Sequence, residues 1–288
     1  MAQAAAKTGA APTAVIAIEQ HFPQDQRIIV DDLAYAILPS GARGMVRLTR
    51  SAFIRDLFVK LLEKISPGIW ALMTCRKRYI DDKLIDAAGS IEAVVNLGAG
   101  FDTRAYRLPA VANVPIWEID QSENIEIKRI RLQKLFGVIP AHVTLVPIDF
   151  DRQDLMAALI AHGYAASQRT FFIWEGVTQY LTEAGVAATL EFLSKAARGS
   201  RVAFTYVRKD FLDGSAMYSQ KDAYRRFVAR GIWLFGMEPD EVEAFLNRYG
   251  WHVIEHVGCE ELAMRYVAPT RRPLASTPIE RVVYAEKQ

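Results

Sequence analysis

From Ile91 onward, short apolar runs alternate with helical patterns, and this alternation limits the folds open to the chain. Seven runs stand out: "IEAVVNLG", "VPIWEID", "VTLVPIDF", "RTFFIWEG", "RVAFTYV", "WHVIEHV" and "ERVVYAEK". Strands separated by helices bury both faces of a mostly parallel sheet, because each helix must cross back over the sheet. The pattern predicts an α/β chain built on a seven-stranded, doubly wound sheet. The last two runs need no long helix between them and can form an antiparallel pair at the edge.

Ahead of the sheet, residues 26–89 read as a helical cap. "TRSAFIRDLFVKLLEKI" places Phe53, Leu57, Leu61 and Ile65 at four-residue spacing, and "RYIDDKLIDAAG" continues the helical pattern. Residues 1–25 open on small, alanine-rich sequence and read as a flexible tail; 26–288 read as one domain, with its core over 90–288. An insertion at about 209–240 carries Met217, Tyr218, Tyr224, Phe227, Trp233, Phe235 and Met237. It is either ordinary helix-packing surface or an apolar lid over a substrate.

With 288 residues, 51% of them hydrophobic, the chain can bury a large core. A net charge of +2 gives no large electrostatic footprint of the kind nucleic acid or an anionic membrane demands. The basic run from Lys128 to Lys134 reads as the solvated side of a helix. Cys75 and Cys259 lack disulfide or metal-ligand spacing and read as buried thiols of a reducing compartment; no metal site is evident. The opening residues make a poor secretory or transit signal, and no run reaches the eighteen or so apolar residues of a membrane span, so a cytoplasmic protein is expected.

The stretch "VVNLGAGFDTRAYRL" reads as strand, glycine turn and helix, the usual receptor of a nucleotide-type cofactor. Gly98, Ala99 and Gly100 form the turn. Thr103 stands where a dinucleotide fingerprint has its third glycine, and Asp102 would oppose a pyrophosphate. S-adenosylmethionine carries no phosphate and has a cationic sulfonium, so acids around it are welcome. Asp120 ends the second strand, about twenty positions on, where an acid accepts from ribose hydroxyls. Asp149 ends the third strand and can accept from the adenine amino group, with Phe150 as an apolar face. Glu175 follows the fourth strand and can pair with the methionine ammonium, and Arg78 with its carboxylate.

These blocks, together with "RKRYIDDKLIDAAG", "WEIDQSENIEIKR", "WEGVTQYLT" and "WLFGMEPDEVEAFL", resemble the leucine carboxyl methyltransferase family. The likeness is to its bacterial S-adenosylmethionine-dependent branch, which includes polyketide carboxyl methyltransferases. The resemblance runs from about Arg27 onward. It implies a class I methyltransferase fold, Rossmann-like, with a helical N-terminal cap, and cofactor contacts at Arg78, Gly98, Gly100, Asp120, Asp149, Phe150 and Glu175. Where relatives often have "AEG" and "YLP", this chain has "WEG" and "YLT", so Trp174 is expected to narrow the pocket floor.

An anionic acceptor needs little beyond alignment and desolvation, whereas a phenol or amine benefits from a general base. None of His21, His142, His162, His252 and His256 falls at the carboxyl end of a strand, which favours a carboxylate on a small or lipid-like molecule. A phenolic hydroxyl is the second choice of acceptor. Tyr180 either contacts the acceptor or is a core tyrosine. Arg208 either draws in an anionic substrate or lies on the surface, and Trp233 belongs to the aromatic segment over the acceptor. A nucleic-acid methyltransferase acting on a base amine would want an Asn/Asp-Pro-Pro-aromatic turn, and "WEGVTQY" stands there instead. Thr103 and Asp102 disfavour a nicotinamide dehydrogenase. A non-catalytic cofactor-binding protein remains open at this stage, because a fold and a cofactor site do not establish turnover.

Overall fold

The computed structural model describes residues 10–148 and 153–288. Asp149 and Phe150 therefore lie outside the described residues. Five parallel strands form most of the sheet: β1 (Ala93–Leu97), β2 (Ile116–Asp120), β3 (Val143–Pro147), β4 (Thr170–Trp174) and β5 (Arg201–Arg208). The two-residue β6 (Gly236–Met237) pairs with the end of β5, and β7 (Trp251–Val257) and β8 (Glu280–Lys287) complete the order β3-β2-β1-β4-β5-β8-β7. The seven long strands are those read from the sequence, and β6 is an addition. The final antiparallel pair is not wholly at the edge. Strand β8 lies between β5 and β7, antiparallel to both, and only β7 forms the border.

Alternate residues of each strand feed two cores, as a period of two requires. Val94, Ile116, Phe171 and Val282 pack on one face, against α4 (Ile69–Ala87) and α5 (Ser122–Phe136). Val95, Trp117, Phe172 and Val283 pack on the other, against α6 (Leu155–Ala161), α7 (Glu183–Ser194) and α8 (Val242–Asn247). Trp174 belongs to this second core. It is 1% exposed and packs on Phe204 at 6.0 Å, so it does not shape a pocket floor.

A third core holds the N-terminal segment. Residues Ala10–Glu19 form α1, whose Val15, Ile16, Ala17 and Ile18 are buried beside Trp70. The expectation of a flexible tail fails here. Glu19 is fully buried, accepting from the Ile28 N–H and the Trp70 indole, and Arg272, 253 positions away, closes an ion pair on it at 2.7 Å. The cap continues with α2 (Ser40–Leu48) and α3 (Ala52–Ile65), and α4 joins it to the sheet.

Lys128 corrects the reading of its helix as a solvated face. It is fully buried, and its Nζ lies 2.8 Å from Glu118 on β2, whose carboxylate also accepts from the Tyr106 hydroxyl at 2.6 Å. Burial pushes the Glu118 carboxyl up, and Lys128 opposes that shift. Removing one partner of such a pair strands the other in an apolar setting. Lys128→Met is therefore expected to cost about 3–5 kcal/mol of stability, read from the denaturant midpoint. A loss below 1 kcal/mol would show that the pair is not needed to hold α5 on the sheet.

Candidate functional site

The carboxyl ends of β1, β2 and β4 open on a cavity of about 1580 Å³. In an open parallel sheet this is where the chain leaves each strand and a crevice forms. The turn after β1, Asp120, Glu175 and Gly176 make its polar floor. Its apolar walls come from α1, from Phe58 and Leu62 of α3, and from Phe227, Trp233 and Leu234 of the 209–240 insertion. Gln220 is fully buried and donates to the Pro67 carbonyl at 2.5 Å, fastening the insertion to the cap.

The two glycines of the turn are required for different reasons. Gly98 has φ +73°, and a Cβ there would sit 2.4 Å from Cγ2 of Val177. Gly100 has φ +43°, yet a Cβ would meet nothing nearer than 4.0 Å, so its bare backbone faces open space beside Asp120. Asp120 Oδ2 accepts from the Gly100 N–H at 2.7 Å, and Oδ1 accepts from the Gln121 N–H and the Asn124 amide, both at 2.7 Å. A carboxylate has about four acceptor positions, so one remains on Oδ2.

Behind this floor runs a buried network of charges. Arg104 is 2% exposed, with Nε 2.6 Å from Asp81, Nη1 2.7 Å from Glu175 and also paired with Asp102, and Nη2 donating to the Lys77 carbonyl at 3.0 Å. Arg76 bridges Glu175 at 3.2 Å and Glu280 at 2.8 Å, while Arg107 joins Asp81 to Asp31. Lys77 lies 3.5 Å from Asp102. Burial alone would push the Glu175 carboxyl up, but Arg104, Lys77 and Arg76 outweigh it and hold the group ionised. Asp102 likewise resists burial through Arg104 and Lys77, and its carboxyl falls well below the usual range. Four cations thus face five acids (Asp31, Asp81, Asp102, Glu175 and Glu280); burial pushes the Glu280 carboxyl up against the pull of Arg76, and Asp120 adds a further acid. The floor suits a cation.

The structure alters two arguments made from the sequence. Asp102 is neutralised by its neighbours, so it does not by itself repel a phosphate. The helix after the turn, Arg104–Arg107, is only one turn long, so it lacks the dipole that a pyrophosphate site draws on.

Gly98, Ala99, Gly100, Asp120, Glu175, Tyr180 and Trp233 all lie on the cavity wall. Arg78 does not. It pairs with Asp82 one turn on at 2.8 Å and is half-buried, lying over the Tyr266 ring. Two residues is more than half a turn of helix, so Arg78, expected at the methionine carboxylate, stands off the cavity, whereas Arg76 lies on its wall and pairs with Glu175. Arg208 is also off the wall, bound to Asp210 at 2.5 Å and lying over the Tyr218 ring. Trp233 stacks on Phe227 at 4.8 Å and meets Tyr180 edge-on at 6.4 Å. The sequence reading missed Arg76, Lys77 and Arg104. Their signal was present as three cations beside a helix face and a glycine turn, but choosing among neighbours required the helical phase.

Comparison with solved structures defines the class. A protein of Thermobifida fusca provisionally named a methyltransferase superposes with a TM-score of 0.58 over 88% of this chain and 93% of its own, at 13% identity. A DUF574 family protein of Streptomyces avermitilis gives 0.57 over 95% and 97%, at 14% identity. The fold is that of the class I methyltransferases. The profile of the family described as leucine carboxyl methyltransferase matches residues 10–194. A relative in Mycobacterium avium is 30% identical over 70% of this chain and 69% of its own length. Another, in Mycolicibacterium paratuberculosis, is 29% identical over 97% and 94%. Both are provisionally named S-adenosyl-L-methionine-dependent methyltransferases. The chain belongs to the leucine carboxyl methyltransferase family and is a methyltransferase dependent on S-adenosylmethionine.

The packing of Gly98 on Val177 can be checked directly. Gly98→Ala is expected to cost about 1–3 kcal/mol for its positive φ and a similar amount for the clash. Adding Val177→Ala should recover the second part in a denaturation curve. A double variant no more stable than the single one would mean that Val177 does not set the glycine requirement.

Proposed function

We propose that the protein transfers a methyl group to the carboxylate of a small or lipid-like molecule, forming a methyl ester. The observation carrying this reading is that none of the five histidines, all among the described residues, lines the cavity, while its walls are apolar. His21 bonds Thr49, His142 the Ala105 carbonyl, His162 the Ala158 carbonyl and His256 the Tyr206 hydroxyl; His252 is exposed on β7. Of the carboxylates on the wall, Glu175 and Asp102 are ion-paired and Asp120 is engaged by three donors, and an exposed carboxylate is a weak base toward a phenol. An acceptor that arrives as an anion needs no base.

In this reading Asp120 takes a ribose hydroxyl on its free Oδ2 position, and Gly98, Ala99 and Gly100 let the backbone approach the cofactor. Asp149 and Phe150 remain assigned to the adenine. Glu175, held ionised by Arg76 and Arg104, faces the methionine ammonium. Bound S-adenosylmethionine supplies a methyl group on a cationic sulfur, open to in-line attack by an oxygen anion. The negative floor favours that cation. Phe227, Trp233 and Tyr180 exclude water from the acceptor's path, and desolvation strengthens the attacking carboxylate. Arg226 and Arg230, both exposed on the cavity wall and without a carboxylate partner among the described residues, draw the acid in.

Incubation with long-chain carboxylic acids should yield methyl esters by mass spectrometry, with kcat/KM flat in pH above about 6, where a carboxylic acid is already ionised. A phenolic acceptor would instead give a rate that climbs toward pH 9. Arg226→Ala and Arg230→Ala should each raise KM about two- to fivefold with little change in kcat. Turnover of phenols alone would overturn the carboxylate reading.

A further inference from the structure

Of the sixteen large hydrophobic side chains exposed among the described residues, seven fall between positions 45 and 65. Helix α3 buries none of its fourteen residues. Phe58, Val59 and Leu62 are half-buried against the third core, while Phe53, Ile54, Leu57, Leu61 and Ile65 form an outward stripe, with Phe53 78% exposed. Met45 and Leu48 of α2 extend it. A contiguous apolar patch of this kind marks an interaction site.

The charges beside the stripe identify what covers it. Residues 40–66 hold Arg43, Arg47, Arg50, Arg55, Lys60 and Lys64 against only Asp56 and Glu63. Asp56 is paired with Arg55, and Glu63 accepts the Gly68 N–H. Lys60 and Lys64 are exposed and have no carboxylate partner among the described residues. At 100° per residue Lys60 borders the stripe beside Phe53, and Lys64 falls within its edge between Phe53 and Leu57; there their ammonium groups can rise to a charged surface while their stems lie along the apolar face. Aromatic and leucine side chains on one arc with lysines along its edge are the composition of a helix lying in a bilayer interface. The near-neutral total charge of the chain conceals this local excess.

The stripe also runs into the cavity. Met45 and Ile65 are at once exposed and part of the cavity wall. We propose that α2 and α3 dock the protein on the surface of an anionic lipid bilayer, with the cavity mouth turned toward the lipid. Delivery of an acceptor from the bilayer rests on the reading of that acceptor as lipid-like; the docking itself does not.

Co-sedimentation of the full chain with phosphatidylcholine vesicles, and with vesicles of phosphatidylcholine and phosphatidylglycerol, tests the proposal. The chain should partition strongly onto the mixed vesicles, weakly onto the neutral ones, and less as salt rises. Lys60→Ala/Lys64→Ala should weaken binding to mixed vesicles roughly thirtyfold, since each lysine near an anionic surface is worth about a factor of five. Leu57→Glu/Leu61→Glu should abolish binding while the thermal midpoint and S-adenosylmethionine affinity stay unchanged, because both side chains are exposed and off the cavity wall. No partition of the unmodified chain onto mixed vesicles, or partition indifferent to both double variants, would overturn the proposal. So would a dimer in sedimentation equilibrium that Leu57→Glu/Leu61→Glu dissociates, because the stripe would then belong to a second copy. Docking that persists while only phenols are methylated would sustain the surface and remove the lipid-acid acceptor.

Discussion

Arg104 ties the three parts of the molecule that make the site. Its guanidinium meets Asp102 of the glycine turn, Asp81 and the Lys77 carbonyl of α4, and Glu175 at the end of β4. Burying an unpaired cation costs several kcal/mol, and the fork of an arginine recovers that cost only when its donors are satisfied together. Moving any one of turn, cap helix or strand end would strand part of the fork. The cap is therefore locked to the sheet at the floor of the cavity, and Asp102 and Glu175 are held ionised before any ligand arrives. Such preorganised charge costs no rearrangement on binding.

The cavity divides along the same lines as the fold. The strand ends supply fixed polar groups, and three separate segments, α1, α3 and the 209–240 insertion, supply apolar walls. On the proposed reading the first part receives the cofactor and the second the acceptor. The insertion is fastened to the cap by Gln220 on the Pro67 carbonyl and to the chain after β4 by the Leu234 N–H on the Gln179 carbonyl at 2.6 Å.

The sheet was legible in the sequence because strands alternating with helices leave a periodic trace, and Asp120 because it closes a strand at a fixed distance from the glycine turn. What escaped depended on distance or on phase. The Ala10–Glu19 helix looked like a tail because its anchor, Arg272, lies far along the chain. Arg78 was chosen over Arg76 because the resemblance fixed a neighbourhood while the rotation of α4 fixes the side chain. Lys128 looked solvated among other cations, since its partner Glu118 sits on a different element. The basic, apolar face of α3 was diluted by a balanced total charge. For α3, α4 and α5 the local pattern was right about the element and silent about what faced it.

The negative floor and the open Gly100–Asp120 corner suit a cationic, phosphate-free nucleoside. Calorimetric titration of the unmodified chain and of Asp120→Ala, with S-adenosylmethionine and with NAD, tests it most directly. Tight S-adenosylmethionine binding is expected, weakened about ten- to a hundredfold by the substitution, with no heat from NAD. NAD binding as strong as that of S-adenosylmethionine, or an S-adenosylmethionine affinity untouched by Asp120→Ala, would contradict it.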